Sequence, residues 1–110
     1  MAQFVHDGRS IDYTPSSAVT AGDIVVQEDL VGVAKLDIKT DTLGALAVEG
    51  VFDFPKATGG GSDIEPGRKL YWDDGAKVAS KSSGGGNKYM GKSVLAAGED
   101  DETVRVRLDQ

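Results

Sequence analysis

Short apolar runs, each closed by glycine, proline or acidic residues, are the feature that most limits the folds open to this sequence. No segment of ten or more residues keeps an apolar period of 3.6 without a glycine inside it. The final run, residues 104–109, alternates apolar and charged side chains, which is the period of a strand with one buried face. About eight such runs predict an all-β fold, a small antiparallel sandwich or barrel.

Turn residues place these runs along the chain. Asp7-Gly8 and Asp73-Asp74-Gly75 are strong hairpin signals, because glycine adopts positive φ without steric cost. Pro15 and Pro55 end runs, since proline cannot donate a hydrogen bond to a neighbouring strand. We predict strands within residues 11–13, 24–26, 30–38, 46–54, 68–72, 76–80, 89–97 and 103–110, a bulge or bend at 49–50, and a short helical turn near 40–47.

The length of 110 residues suits a single domain, which we assign to residues 1–110. Residues 1–18 are expected to form an extended N-terminal arm or hairpin, and residues 19–110 the β core. Two glycine-rich segments, residues 57–67 and 81–88, predict flexible loops. Neither segment has the spacing of a phosphate-binding or dinucleotide-binding loop.

Composition excludes several functional classes. There is no cysteine, which rules out disulfides, thiolate metal sites and cysteine nucleophiles. His6 is the single histidine, and a triad with Asp7 and Ser10 would lie on one local hairpin without an oxyanion site. A net charge of −6 with singly scattered lysines argues against nucleic acid and anionic membranes. No apolar run approaches the ~20 residues of a membrane span, and we expect no signal peptide.

The stretch LYWDDG, residues 70–75, places two carboxylates beside the only tryptophan. Its flanks predict strands, so Asp73 and Asp74 are expected to turn the chain at a hairpin tip, where solvent prevents pKa tuning. Trp72 is then expected to be a half-buried strand residue or an exposed contact group. The four acids at residues 99–102 lack the ligand spacing of a calcium loop and predict a solvated turn.

Four segments, taken in order, resemble the capsid-decoration (head-cement) proteins of tailed bacteriophages and prophages, a family long labelled in genomes as predicted recombinases. The opening segment resembles the family's arm and first strands, and the third resembles its Gly-x-x-Leu-Tyr-Trp-Asp hairpin. The recombinase label finds no support in a nucleotide loop or a basic patch. The segments are residues 7–34, 48–57, 64–74 and 104–109.

The resemblance implies a jelly-roll or β-clip kind of fold, oligomers attached to the outer surface of the mature virion capsid, and no catalysis. The implied partners are the major capsid protein and further copies of this chain, as a homotrimer or homodimer. No metal or cofactor is implied. Phe4 and Val5 of the arm, together with Trp72, are the predicted contact residues, and the arm is expected to add a strand to a capsid sheet.

Two other functions stay open at this stage. A carbohydrate- or peptide-binding β module would use Tyr71 and Trp72 as a stacking platform. A hydrolase or nuclease would use Asp73, Asp74 and Glu99, and for this hypothesis we expect no turnover.

Overall fold

A computed structural model describes residues 1–3 and 8–110 of the chain. These residues contain no helix and form nine strands, slightly more than the sequence predicts. The all-β prediction is confirmed. The strands are β1 Ser10–Tyr13, β2 Ile24–Gln27, β3 Leu30–Val33, β4 Gly44–Ala47, β5 Glu49–Pro55, β6 Lys69–Asp73, β7 Val78–Ser80, β8 Lys88–Ser93 and β9 Thr103–Asp109.

The strands form two antiparallel sheets packed as a small sandwich. The first sheet has four strands in the order β1-β4-β3-β2, and the second has five in the order β5-β9-β8-β6-β7. The chain passes from the first sheet to the second through a single residue, Val48, between β4 and β5. The structure shows no bulge at residues 49–50: they begin β5 and pair in regular register with Asp109 and Leu108 of β9, and the φ of 124° at Gly50 favours glycine.

The main core lies between the two sheets, because the inward residues of both sheets contribute to one apolar cluster. β3 supplies Val31 and Val33, and the second sheet supplies most of the rest, led by Phe54, Leu70 and Trp72. Burial of these side chains is the main stabilising term in a body of this size. A smaller cluster involves the first sheet and the loops beside it, and consists of Ala34, Ile38 and Leu46.

Two further contacts hold this body together. A bridge between Lys56 and Ala79 links the end of β5 to β7, the outer strands of the second sheet, so this sheet curls toward a barrel. Lys56 is 3% exposed, and its Nζ donates to the carbonyl of Ala57 at 2.7 Å. The side-chain amide of Gln110 bonds both the N–H and the carbonyl of Val31 at 2.6 Å, which ties the end of β9 to β3.

A β-bulge in β8 decides which side chains of this strand face outward. Met90 is inserted between Tyr89 and Gly91, which pair with consecutive residues of β6. Met90 is fully buried, while Tyr89 and Lys92 lie on the outer face. Gly91 has a φ of 152°, and a Cβ at this position would overlap the carbonyl oxygen of Arg107 on β9. The bulge therefore requires glycine at position 91.

The strand predicted over residues 89–97 is too long, because β8 ends at Ser93 and Ala97 instead forms a bridge with Ile64.

Two further sequence predictions about local structure are wrong. Residues 30–38 do not form one strand: β3 ends at Val33, and Ile38 instead forms a bridge with Val19, away from the β2–β3 pair. The helical turn predicted near residues 40–47 is replaced by β4, in which Leu46 and Ala47 are buried. In both places the tertiary partner, and not the local propensity, decides the conformation.

The N-terminal region is partly integrated into the first sheet. β1 pairs with β4 over four residue pairs, from Ser10 with Ala47 to Tyr13 with Gly44. Residues 4–7 lie outside the described residues. They include the first half of the predicted hairpin and the predicted contact residues Phe4 and Val5. The division between an arm and a core at residue 18 stays a prediction.

Candidate docking surface

Trp72 is a core residue and not a surface group. Its side chain is 1% exposed, and its ring centroid lies 6.0 Å from that of Phe54. The expectation of a half-buried or exposed ring is therefore wrong, because Trp72 follows Leu70 into the core by the alternation of β6. A contact between Trp72 and a capsid stays an untested prediction, but the buried ring makes this residue a support for the hairpin that follows it.

Asp73 and Asp74 turn the chain between β6 and β7, as the sequence predicts. The Asp73 carbonyl accepts from the N–H of Lys77 at 2.7 Å, and Asp73 Oδ1 accepts from the N–H of Ala76 at 3.1 Å. Asp74 Oδ1 accepts from the indole Nε1 of Trp72 at 3.0 Å and from Lys77 Nζ at 2.7 Å. These acids close the hairpin and satisfy a buried donor, which would otherwise destabilise the fold.

Three surface carboxylates have lowered pKa values, and in each the main cause is a hydrogen bond from a neighbouring cation. The bond from Lys77 lowers the pKa of Asp74, partial burial opposes this, and the indole N–H of Trp72 lowers it further. A carboxylic general acid at neutral pH needs a raised pKa, so these groups do not suit that role. The other two lowered pKa values are those of Asp29, bonded by Lys88, and Asp53, bonded by Arg105.

We expect these three carboxylates to make stability depend on pH only below about pH 4. Each folded pKa lies below the unfolded value, so the contribution is complete above the unfolded pKa of about 3.9 and disappears as the pH falls through the folded pKa. The effect is modest because the pairs are at the surface. Thermal melts across the acid range measure this change in stability. Asp74→Asn should reduce the dependence of the melting temperature on pH, because it removes one of the three carboxylates. A midpoint that already falls between about pH 7 and 5 would contradict this account.

Tyr71 and Trp72 do not form a shared stacking platform, because consecutive residues of a strand point to opposite faces. Trp72 points into the core, while Tyr71 is half-buried on the outer face. The Tyr71 ring lies in a T-shaped pair with Tyr89, with centroids 5.7 Å apart. The platform expected for a carbohydrate- or peptide-binding module is therefore not made by these two residues.

The acidic turn, Glu99–Glu102, is held in shape by two of its own carboxylates. Glu99 Oε1 accepts from the N–H of Gly61 at 3.2 Å, and Asp101 Oδ2 accepts from the N–H of Gly98 at 2.7 Å. His6 lies outside the described residues. Among residues 1–3 and 8–110, no group of three or more His, Asp or Glu side chains is arranged to hold a metal ion, so the hypothetical site of Asp73, Asp74 and Glu99 does not gather there.

The outer face of the five-stranded sheet carries three cations side by side, which the sequence analysis missed. Lys69 of β6 pairs with Lys92 of β8, and Lys92 pairs with Arg107 of β9. Paired residues share a face, and all three are exposed. We call these three residues the basic row. The lysines are scattered singly along the sequence, but not in the folded chain. Strand pairing brings together cations that are distant in the sequence.

The basic row makes one ion pair among the described residues, and it is longer than the other four ion pairs. Arg107 Nη1 lies 3.8 Å from Asp109 Oδ2, and Lys69 and Lys92 form no ion pair with any residue that the structure describes. The row is therefore a local positive site on a chain with a net charge of −6. The shorter pairs elsewhere are Lys77–Asp74 at 2.7 Å, Lys88–Asp29 at 2.8 Å, Arg105–Asp53 at 2.9 Å and Lys81–Asp63 at 3.7 Å.

A groove of about 460 Å³ lies beside the start of β2, the end of β5 and the hairpin tip. Its ionisable lining residues are Asp23 and Lys77, and the Lys77 ammonium is already bonded to Asp74. The rest of the lining is Gly22, Ile24, Val25, Pro55 and Trp72. The groove therefore has no convergent set of reactive groups of the kind that catalysis uses.

Comparison with known proteins connects this body to one family. A family model described as phage cement protein matches residues 5–108, which is nearly the whole chain. No curated protein and no solved structure gives a significant match. In the part of the chain that the structure describes, no helix is long and apolar enough to cross a membrane.

Proposed function

This chain belongs to the phage cement protein family, and from that membership we propose that it binds the outer surface of a mature phage head as an oligomer and stabilises the shell. The family is one of capsid-associated structural proteins, so the coarse role is association with a phage capsid. The proposal adds the outer surface, the mature state of the head, the oligomer and the stabilising effect. The major capsid protein is the proposed partner.

The observation that carries the proposal is the family match over residues 5–108. The geometry supports it. The carboxylates of the LYWDDG stretch are used to hold a hairpin, and those of Glu99 and Asp101 hold a turn. Carboxylates that serve to hold turns in shape are consistent with a protein that functions by binding another surface.

Stabilisation of a shell by a small protein follows from differential binding. A protein that binds the mature shell more tightly than the immature or disrupted shell shifts the equilibrium toward the mature shell. Several attachment points on one oligomer make the later contacts intramolecular, so the whole assembly detaches slowly even when each contact is weak. This mechanism requires a stiff body, and the contacts made by Lys56 and Gln110 stiffen it.

We expect the purified chain to bind undecorated mature heads of its matching phage in a saturable, stoichiometric manner. Because binding favours the intact shell, decorated heads should survive longer heating or chelator treatment than undecorated ones. Co-sedimentation followed by gel densitometry measures the ratio, and electron microscopy of heated heads measures survival. Failure to bind any matching mature shell would refute the proposal.

Phe4 and Val5 remain the proposed contact residues of the arm, and a matched pair of variants tests them. Phe4→Ser/Val5→Ser should weaken binding to heads. Leu36→Ser/Leu43→Ser removes two other apolar side chains, which are 78% and 67% exposed on the body, and should bind like the wild type. Equal binding by both variants would remove the arm from the contact and leave decoration itself standing.

A further inference from the structure

The basic row carries an unfavourable arrangement that a partner would relieve. Like charges directly opposite each other on neighbouring strands are destabilising, and here Lys69 faces Lys92 while Lys92 faces Arg107. Arg107 has one distant acidic neighbour, Asp109 at 3.8 Å, within the described residues. An anionic group placed over the row would offset this repulsion across three strands at once.

The chain itself carries an anionic group of suitable size. The acidic turn presents four consecutive exposed acids. Its shape is set by two hydrogen bonds, one from the N–H of Gly61 to Glu99 Oε1 and one from the N–H of Gly98 to Asp101 Oδ2, so the turn is held before any partner binds. Asp100 and Glu102 extend this exposed surface. Preorganised charges lose less conformational entropy on binding than mobile ones.

The turn and the row of one molecule do not meet. No ion pair joins them in the part of the chain that the structure describes. The turn ends where β9 begins at Thr103, and Arg107 lies about 14 Å further along the strand, given a rise of about 3.4 Å per residue. Lys92 and Lys69 lie one and two strands beyond Arg107. Any pairing between the two groups must therefore join different molecules.

We propose that the basic row of one molecule binds the acidic turn of a second copy of this chain. The contact rests on the proposed function, for which it supplies the surface that holds the oligomer together. It joins two different patches, so it is heterologous and closes into a ring when the rotation between copies permits. Opposite charges set the register of the contact and disfavour pairings that bring like charges together.

Exposed apolar side chains flank both halves of the contact. Val51 of β5 pairs with Arg107 at the end of the basic row and is 53% exposed. Leu95 lies four positions before Glu99 and is 54% exposed. Surface ion pairs alone contribute little, so burial of these apolar groups beside the charges adds the non-polar part that a specific contact needs.

Sedimentation velocity over a range of concentrations tests the proposal on the full chain. In low salt, at an ionic strength of about 20 mM, the wild type should self-associate, and salt of about 0.5 M should weaken the association on the order of tenfold. Lys92→Glu/Arg107→Glu and Asp100→Lys/Glu102→Lys should each sediment as single chains at concentrations where the wild type associates. The variant that combines all four substitutions should associate again, because the charges are exchanged and not removed.

A matched control separates the contact from general charge repulsion. Lys35→Glu/Lys39→Glu lowers the net charge by the same amount as Lys92→Glu/Arg107→Glu, but in the loop between β3 and β4. This control variant should associate like the wild type. Circular dichroism checks that every variant is folded. A wild type that stays a single chain throughout, a combined variant that stays single, or a control that also dissociates would overturn the proposal. Binding to heads is measured separately, so decoration by single chains would refute this contact and the proposed oligomer, and would leave binding to the head standing.

Discussion

Gly91→Ala should cost roughly 3 kcal/mol or more of the free energy of unfolding, a large share of the about 5–15 kcal/mol typical of a domain. A Cβ at position 91 overlaps the carbonyl oxygen of Arg107, a backbone atom in the adjacent strand that cannot move aside as a flexible side chain would. The φ of 152° is also a conformation that residues with a side chain rarely adopt. Chemical denaturation followed by circular dichroism measures the loss.

Gly60→Ala is the matched control for this substitution. A Cβ at Gly60 would meet no atom within 4 Å, so its free energy of unfolding should stay within about 0.5 kcal/mol of the wild type. The difference between the two variants isolates the bulge from the general effect of adding a methyl group. Gly91→Ala with wild-type stability would mean that β8 can run without its bulge, and the outward position of Lys92 would then have no support.

Trp72→Ala should cost about 3–5 kcal/mol, the range for truncating a large buried aromatic side chain. The ring is 1% exposed and packs against Phe54, so its removal leaves a cavity between the sheets. Trp72→Phe should cost less, because phenylalanine keeps most of the buried apolar volume. Its remaining cost should come mainly from the lost hydrogen bond between the indole N–H and Asp74. Thermal and denaturant unfolding of both variants measure the two contributions.

Tyr71→Ala controls for the loss of an aromatic ring from the same strand. Tyr71 lies on the outer face, so the substitution removes mainly its edge-to-face contact with Tyr89, which contributes about 1 kcal/mol. If Tyr71→Ala proves as damaging as Trp72→Ala, the assignment of the inward and outward faces of β6 is wrong. Acrylamide quenching of the wild type gives an independent check, since a buried Trp72 should be poorly accessible.

The strands that carry a local signal were predictable from the sequence. β9 alternates apolar and charged residues along its whole length, and its burial alternates in the same way. The hairpin between β6 and β7 was predictable from its Asp-Gly turn between two strand-forming runs. β4 was predicted only from Leu46 onward, because residues 40–45 have no alternation of their own, and Gly44 and Ala45 become part of a strand by pairing with β1.

The candidate surface was much less predictable than the fold. Trp72 was expected near the surface because aromatic residues are common in interfaces, and its position in the strand alternation placed it inside instead. The outward direction of Arg107 was readable from the pattern of β9. Its alignment with Lys92 and Lys69 was not, because register between strands depends on the bulge at Met90 and Gly91.

By itself, the sequence determined that this chain is built of short β-strands and has no cysteine chemistry, since turn residues and a period of two act locally and need no partner. The tertiary structure alone decided which strands are neighbours, that the tryptophan is buried, and that three cations from different strands stand in one row. Those features depend on contacts between residues far apart in the chain. Such contacts form only when the strands pair and the two sheets pack together, so the local sequence does not encode them.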